Sequence, residues 1–216
     1  MNFKPCAEQL DRQISIYANQ SFEGKKRFIE KFVTLKCAPD LLALEVFPNA
    51  KEITESMAAM HAIKKYCLGF LTLNDPSVHV VVVADGNSPR TGALMAFMSN
   101  WTVTSIDPRL KEKWVKTSKI QRLECIDMML ENIPLTDPII AKTKLVVGVH
   151  THVTYETMKE YFPNTPWIII PCCVPYPEKE STHYYREPGI WSPENQVLLY
   201  NFPNRHVNEK PFKEKV

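Results

Sequence analysis

The chain has 216 residues, with 26 Lys and Arg against 24 Asp and Glu for a formal charge of +2, and is 44% hydrophobic and 23% charged. That length buries one full core with room for a single extension, and the composition excludes a disordered or fibrous chain. Near-neutrality leaves no broad electrostatic footprint for DNA, no run of about 18 apolar residues could cross a membrane, and the opening Met1, Asn2, Phe3, Lys4, Pro5 lacks the apolar stretch of a secretory signal. Cys6, Cys37, Cys67, Cys125, Cys172 and Cys173 are scattered without C-x-x-C spacing, so they read as reduced thiols of a cytoplasmic protein. The oligomeric state is left open.

In chain order, residues 6–73 carry a helical pattern. Ser21 can cap a segment with Phe28, Phe32 and Leu35 on one stripe, and Asn49 a second with Ile53, Met57, Met60 and Lys64 at i, i+4, i+7 and i+11. The expectation is a helical N-terminal segment over 1–75, packed on the core and ending at the turn Asn74, Asp75, Pro76. Beyond it, 76–210 reads as one α/β unit. Short apolar runs HVVVVA (79–84), TVTSI (102–106), QRLECI (121–126), LVVGVH (145–150) and WIIIPC (167–172) alternate with helices expected over 91–100, 127–132 and 155–162. Strands apolar on both faces, joined by right-handed crossovers, predict a doubly wound, mostly parallel, Rossmann-like sheet. QVLLYNF (196–202) is expected to add an antiparallel strand. The stretch 175–193, with Tyr176, His183, Tyr184, Tyr185, Arg186 and Trp191, reads as a long loop whose rings either cover a ligand or pack on the body.

Open α/β sheets bind ligands beyond the carboxyl ends of their strands, so the residues there are the informative ones. Asp85, Asp107 and Asp127 follow the first three strands at spacings of 22 and 20 residues, one βα unit each. Three such carboxylates can accept hydrogen bonds from ribose hydroxyls, an exocyclic amine and an ammonium group, or they can simply cap helices. The loop Asp85 to Gly92 holds two of the six glycines, turns at Gly86 and starts a helix near Thr91, whose dipole suits a carboxylate or phosphate. Arg90 either clamps an anion or pairs with an acid.

The segment VVVVADGNSPRTGALMAF, followed by WTVTSIDP, resembles the first two motifs of the class I S-adenosylmethionine-dependent methyltransferases. The resemblance implies S-adenosylmethionine as cofactor, with Asp85 and Gly86 at its methionyl end and Asn87, Ser88, Arg90 and Gly92 completing the loop. It places Asp107 on the ribose, and Asp127 with Ile126 or Met128 beside the adenine. VGVHTHV followed by PCC is similar to the fourth and fifth strand ends of some tRNA-modifying and related eukaryotic methyltransferases. The family turn usually has three closely spaced glycines, whereas NSPRT separates Gly86 from Gly92 here. No Asn-Pro-Pro-Tyr or Asp-Pro-Pro-Tyr element follows the fourth strand, which disfavours methylation of a nucleobase amino group.

His150 and His152 fall where an acceptor would approach, and neutral imidazole can deprotonate or orient a hydroxyl or amine, so these are the candidate catalytic residues. The alternative is that one of them turns into the core. Cys172 and Cys173 with His150, His152 or His183 offer the donors zinc prefers, but the dispersed spacing favours a packed strand terminus, and no metal is expected. The sequence thus points to methyl transfer from S-adenosylmethionine to a small-molecule or RNA acceptor. Two alternatives remain: a catalytically inactive methyltransferase-like partner subunit, and a phosphoribosyltransferase, for which Ala84 stands in place of one of two adjacent acids.

Overall fold

A computed structural model describes residues 27–116 and 120–203. Ser21 lies outside the described residues. Helices α1 (Arg27–Val33), α2 (Ala38–Ala43) and α3 (Ala50–Ala62) precede the sheet. Asn49 caps α3 as expected, its Oδ1 accepting the Glu52 backbone N–H at 3.1 Å. The helix then runs into a π-helical turn, Ile63–Cys67. That wider turn rotates the buried stripe, so Ile63 and Cys67 are buried and Lys64, expected on the apolar face, is exposed.

The strands are β1 (His79–Val83), β2 (Thr102–Ile106), β3 (Leu123–Ile126), β4 (Leu145–Thr151), β5 (Trp167–Pro171), β6 (His183–Arg186) and β7 (Gln196–Tyr200), in the spatial order β3-β2-β1-β4-β5-β7-β6. The first five are parallel, and β7 is antiparallel to both β5 and β6. This is the doubly wound, Rossmann-like architecture expected. Helix α4 (Arg90–Met98) follows β1, and α5 (Glu112–Val115), α6 (Pro138–Lys142) and α7 (Tyr155–Tyr161) follow β2, β3 and β4.

The continuous apolar runs are explained by burial on both sides. Val80 and Val82 face one core with Leu145, Val147, Ile168 and Ile170, while Val81 and Val83 face a second with Val146, Trp167 and Ile169. The first core is closed by the N-terminal helices. Ten of the 13 residues of α3 are buried, as suits a helix packed on α1, α4, β4 and β5 at once.

Two local expectations are corrected. The helix expected over 127–132 is only a 3-10 turn at Leu130–Asn132, and the helix of that crossover is α6, started by Pro138 and capped by the Asp137 side chain. Within 175–193 the chain forms β6, a four-residue edge strand whose burial alternates. Its inward rings pack on the body, with Tyr185 against Tyr66 and Lys65 over both rings, while Tyr184 faces outward and is 53% exposed.

His79, at the start of β1, is 3% exposed and hydrogen-bonds Thr104 at 3.0 Å. Burial, helped by Lys142, pushes it down to about 4. An unfolded histidine titrates near 6.5, so its contribution is complete above that pH and is lost as the pH falls toward 4. His79→Gln is therefore expected to flatten the fall in stability between those values by on the order of 3 kcal/mol, read from urea melts at several pH values.

Candidate active site at the carboxyl ends of the strands

The chain leaves β1 and β4 toward opposite sides of the sheet, and a crevice opens where these neighbours diverge. Asp85 lies beneath its rim. Its carboxylate accepts the backbone N–H groups of Thr91 and Gly92 and the Ser105 hydroxyl, all at 2.9 Å. Burial pushes Asp85 up to about 6 while those donors pull the other way. The side chain thus holds the first turn of α4 onto β2 and lines neither of the two cavities found at this edge.

Gly86 follows with φ +87, a conformation that disfavours a side chain, and an added Cβ would meet the Arg90 guanidinium at 2.7 Å. Its N–H donates to Asp107 Oδ2 at 2.7 Å, and the other carboxylate oxygen accepts from the Arg109 N–H at 2.7 Å. Asp107 therefore ties the tips of β1 and β2 together while remaining a cavity wall. Gly92 is buried within α4, and Asp127 is exposed at the tip of β3 and lines neither cavity.

The two cavities share Ala84, Arg109 and His152. The smaller, of about 210 Å³, runs from Asp107 between Ile106, Met128, Met129, Leu130 and Val153. Its walls are mostly apolar, with two carboxylates, Asp107 and Glu131, among the lining residues, a setting that suits a flat heterocycle carrying hydroxyl or amino donors. The larger, of about 530 Å³, is polar and is lined by Gly86, Asn87, Ser88, Arg90, His150, His152 and Cys172, with Arg109, Lys111 and Lys113 on its basic side. Ser88 donates its hydroxyl to the Val46 carbonyl at 2.6 Å, so the N-terminal segment forms part of the wall.

Helix α3 brings charge to this cavity. Arg90, which burial pushes down to about 10, remains protonated at neutral pH and pairs with Glu52. One turn on, Glu55 is 1% exposed, and its Oε1 is 2.7 Å from Lys51 Nζ and 3.1 Å from His150 Nε2. Burial raises Glu55. Burial, with Lys51, Arg90 and His152 nearby, pushes His150 down to about 4, so its imidazole is neutral at pH 7. His150 has φ 51 and sits at a register shift in β4, between Val149 and Thr151, which turns it out of the strand.

The structure therefore brings Gly86, Asn87, Ser88, Arg90, Asp107, His150 and His152 to one pair of cavities and sets Asp85, Gly92 and Asp127 off them. Strand-end reasoning missed Lys51, Glu52 and Glu55. The available signal was the polar Thr54, Glu55, Ser56 triplet inside an otherwise apolar helical run, which marks a buried face needing partners. Ser56 meets that need through Thr91, at 3.0 Å between hydroxyls.

No sequence-family model matches the chain, and no curated protein matches it. Solved structures do. A mutant of MtNAS in complex with S-adenosylmethionine aligns over 94% of this chain and 85% of its own, at 12% identity and a TM-score of 0.48. The Burkholderia thailandensis 1,6-didemethyltoxoflavin-N1-methyltransferase, with S-adenosylhomocysteine bound, aligns over 83% and 90%, at 13% identity and a TM-score of 0.48. A TehB-like S-adenosylmethionine-dependent methyltransferase from Corynebacterium glutamicum aligns over 83% and 98%, at 10% identity and a TM-score of 0.43. Identities this low leave the function to be read from the site itself. Among the described residues no helix is long and apolar enough to cross a membrane.

Proposed function

We propose that the chain binds S-adenosylmethionine across the paired cavities and transfers its methyl group to a small acceptor in the larger one. The observation that carries this reading is the junction at Ala84, Arg109 and His152. There an apolar slot beside Asp107 meets a polar chamber lined by two histidines. The adenine fills the slot between Ile106, Met129 and Val153, and the ribose hydroxyls reach the remaining lone pairs of Asp107. The methionyl carboxylate meets the loop at Gly86 to Ser88 and the Arg90 guanidinium, a basic setting that stands in for the usual run of glycines.

Methyl transfer asks little of the protein beyond in-line placement of acceptor and sulfonium, with a group to take up any proton. His150 serves that purpose as a neutral imidazole, its Nε2 lying 3.1 Å from Glu55 Oε1. As the acceptor loses its proton to His150, Glu55 stabilises the imidazolium across 3.1 Å. Arg109 and Lys111 favour an acceptor bearing a carboxylate or phosphate, whether a free metabolite or an RNA end.

Calorimetry and thermal melts with S-adenosylmethionine and S-adenosylhomocysteine test the reading. At about 100 times its Kd the cofactor is expected to add about 2.7 kcal/mol of stability. Asp107→Asn is expected to weaken binding about tenfold or more through the lost charge-assisted hydrogen bonds to ribose. The absence of both heat and thermal shift would reject cofactor binding. Saturable binding without turnover on any acceptor would favour the inactive partner subunit.

A further inference from the structure

We propose that His152, Cys172 and Cys173 bind a single zinc ion through three protein ligands, with an exchangeable fourth position facing the larger cavity. The backbone brings the three residues together: Thr151 pairs with Pro171 at the ends of parallel β4 and β5, so His152 and Cys172 are the next residues along two neighbouring strands. The three donor atoms lie within 4.8 Å of one another, and Cys173 Sγ is 3.5 Å from His152 Nδ1. A zinc ion about 2.3 Å from sulfur and about 2.05 Å from nitrogen, at a tetrahedral angle, separates those two atoms by roughly 3.6 Å. The existing geometry therefore needs only a small contraction around an ion.

The donor set itself selects the metal. Two thiolates and an imidazole suit zinc, and two thiolates neutralise its charge, whereas hard cations want oxygen. Three protein ligands with an open position are the arrangement of reactive rather than purely structural zinc. His152 and Cys172 both line the 530 Å³ cavity, so the fourth ligand projects into it. Water occupies that position at rest. A thiol entering the cavity displaces the water and binds as thiolate, leaving its proton to solvent, which makes soft sulfur compounds the ligand class that the site takes best.

The site is independent of the methyl-transfer reading, because it is tested with metal alone. Reduced full-length protein is loaded with zinc, or with cobalt(II) as a spectroscopic substitute, desalted, and assayed for bound metal. One ion per chain is expected, with thiolate-to-cobalt charge transfer and visible bands of tetrahedral intensity. Zinc should also protect Cys172 and Cys173 from iodoacetamide. Cys173→Ser, at an exposed position where folding is not at stake, should weaken zinc binding by more than about 100-fold, beyond the loss expected for a group that merely orients a ligand. Cys37→Ser should retain the metal. Addition of 2-mercaptoethanol should shift the cobalt bands. Failure to retain an ion, or retention by Cys173→Ser, overturns the site. Bands that ignore the thiol overturn its open position. Rapid alkylation of Cys173 that zinc does not slow would mark a nucleophilic cysteine instead and overturn the proposal.

Discussion

Replacing Asp85 with alanine is expected to cost about 3 to 5 kcal/mol, because it strands two backbone N–H groups and a hydroxyl in a place water does not reach. The carboxylate accepts from Thr91, Gly92 and Ser105 and is 1% exposed. For a domain of this size each kcal/mol moves the melting temperature by about 2–4 °C, so a drop on the order of 10 °C is expected in a thermal scan. Asp85→Asn separates charge from shape. Its carbonyl can still serve one helix donor, but its amide nitrogen must face another, so it should lie between alanine and the parent. An unchanged melting temperature in both variants would show that the start of α4 does not depend on this anchor, and would return Asp85 to the list of cofactor ligands.

The second large effect concerns His150. Substitution by asparagine is expected to lower turnover by about 10² to 10⁴, the range for removing a positioned proton acceptor, while leaving S-adenosylmethionine affinity within severalfold of the parent. Asparagine is the informative choice because the residue sits at φ 51, where Asn is tolerated and alanine adds backbone strain. Glu55→Gln keeps the shape but removes the charge that stabilises an imidazolium, and should lose less. The measurement is kcat set beside a calorimetric Kd. Parallel losses in both would place His150 on the cofactor rather than on the acceptor.

The sheet was readable because its strands are apolar on both faces and fall between short polar loops. TVTSI matches β2 end for end, and the antiparallel strand after the aromatic stretch stands where the pattern put it. β6 was hidden because HYYR is an edge strand with alternating exposure, too short and too polar to stand out beside the central runs. The site was half legible. Strand-end logic finds residues such as Asp107, His150 and His152 from spacing alone. It says nothing about which way a carboxylate turns, and Asp85 turned inward because the N–H groups of a starting helix lie within its reach. It also overlooks Lys51, Glu52 and Glu55, whose only route to the crevice is a helix packed across β4 and β5. Such convergence is tertiary, written in no local run of sequence. The pairing of His152 with Cys172 and Cys173 is of the same kind, since Cys172 lies 20 positions beyond His152 and only the strand register closes that gap.

The hydroxyl of Ser88 on Val46 and the guanidinium of Arg90 on Glu52 stitch the helical layer to the loop after β1. The wall of the larger cavity is therefore shared between the strand ends and the helices laid against them. Because the same helices also close the core against Val80, Val82, Val147 and Ile168, that wall cannot be exchanged without repacking the interior behind it.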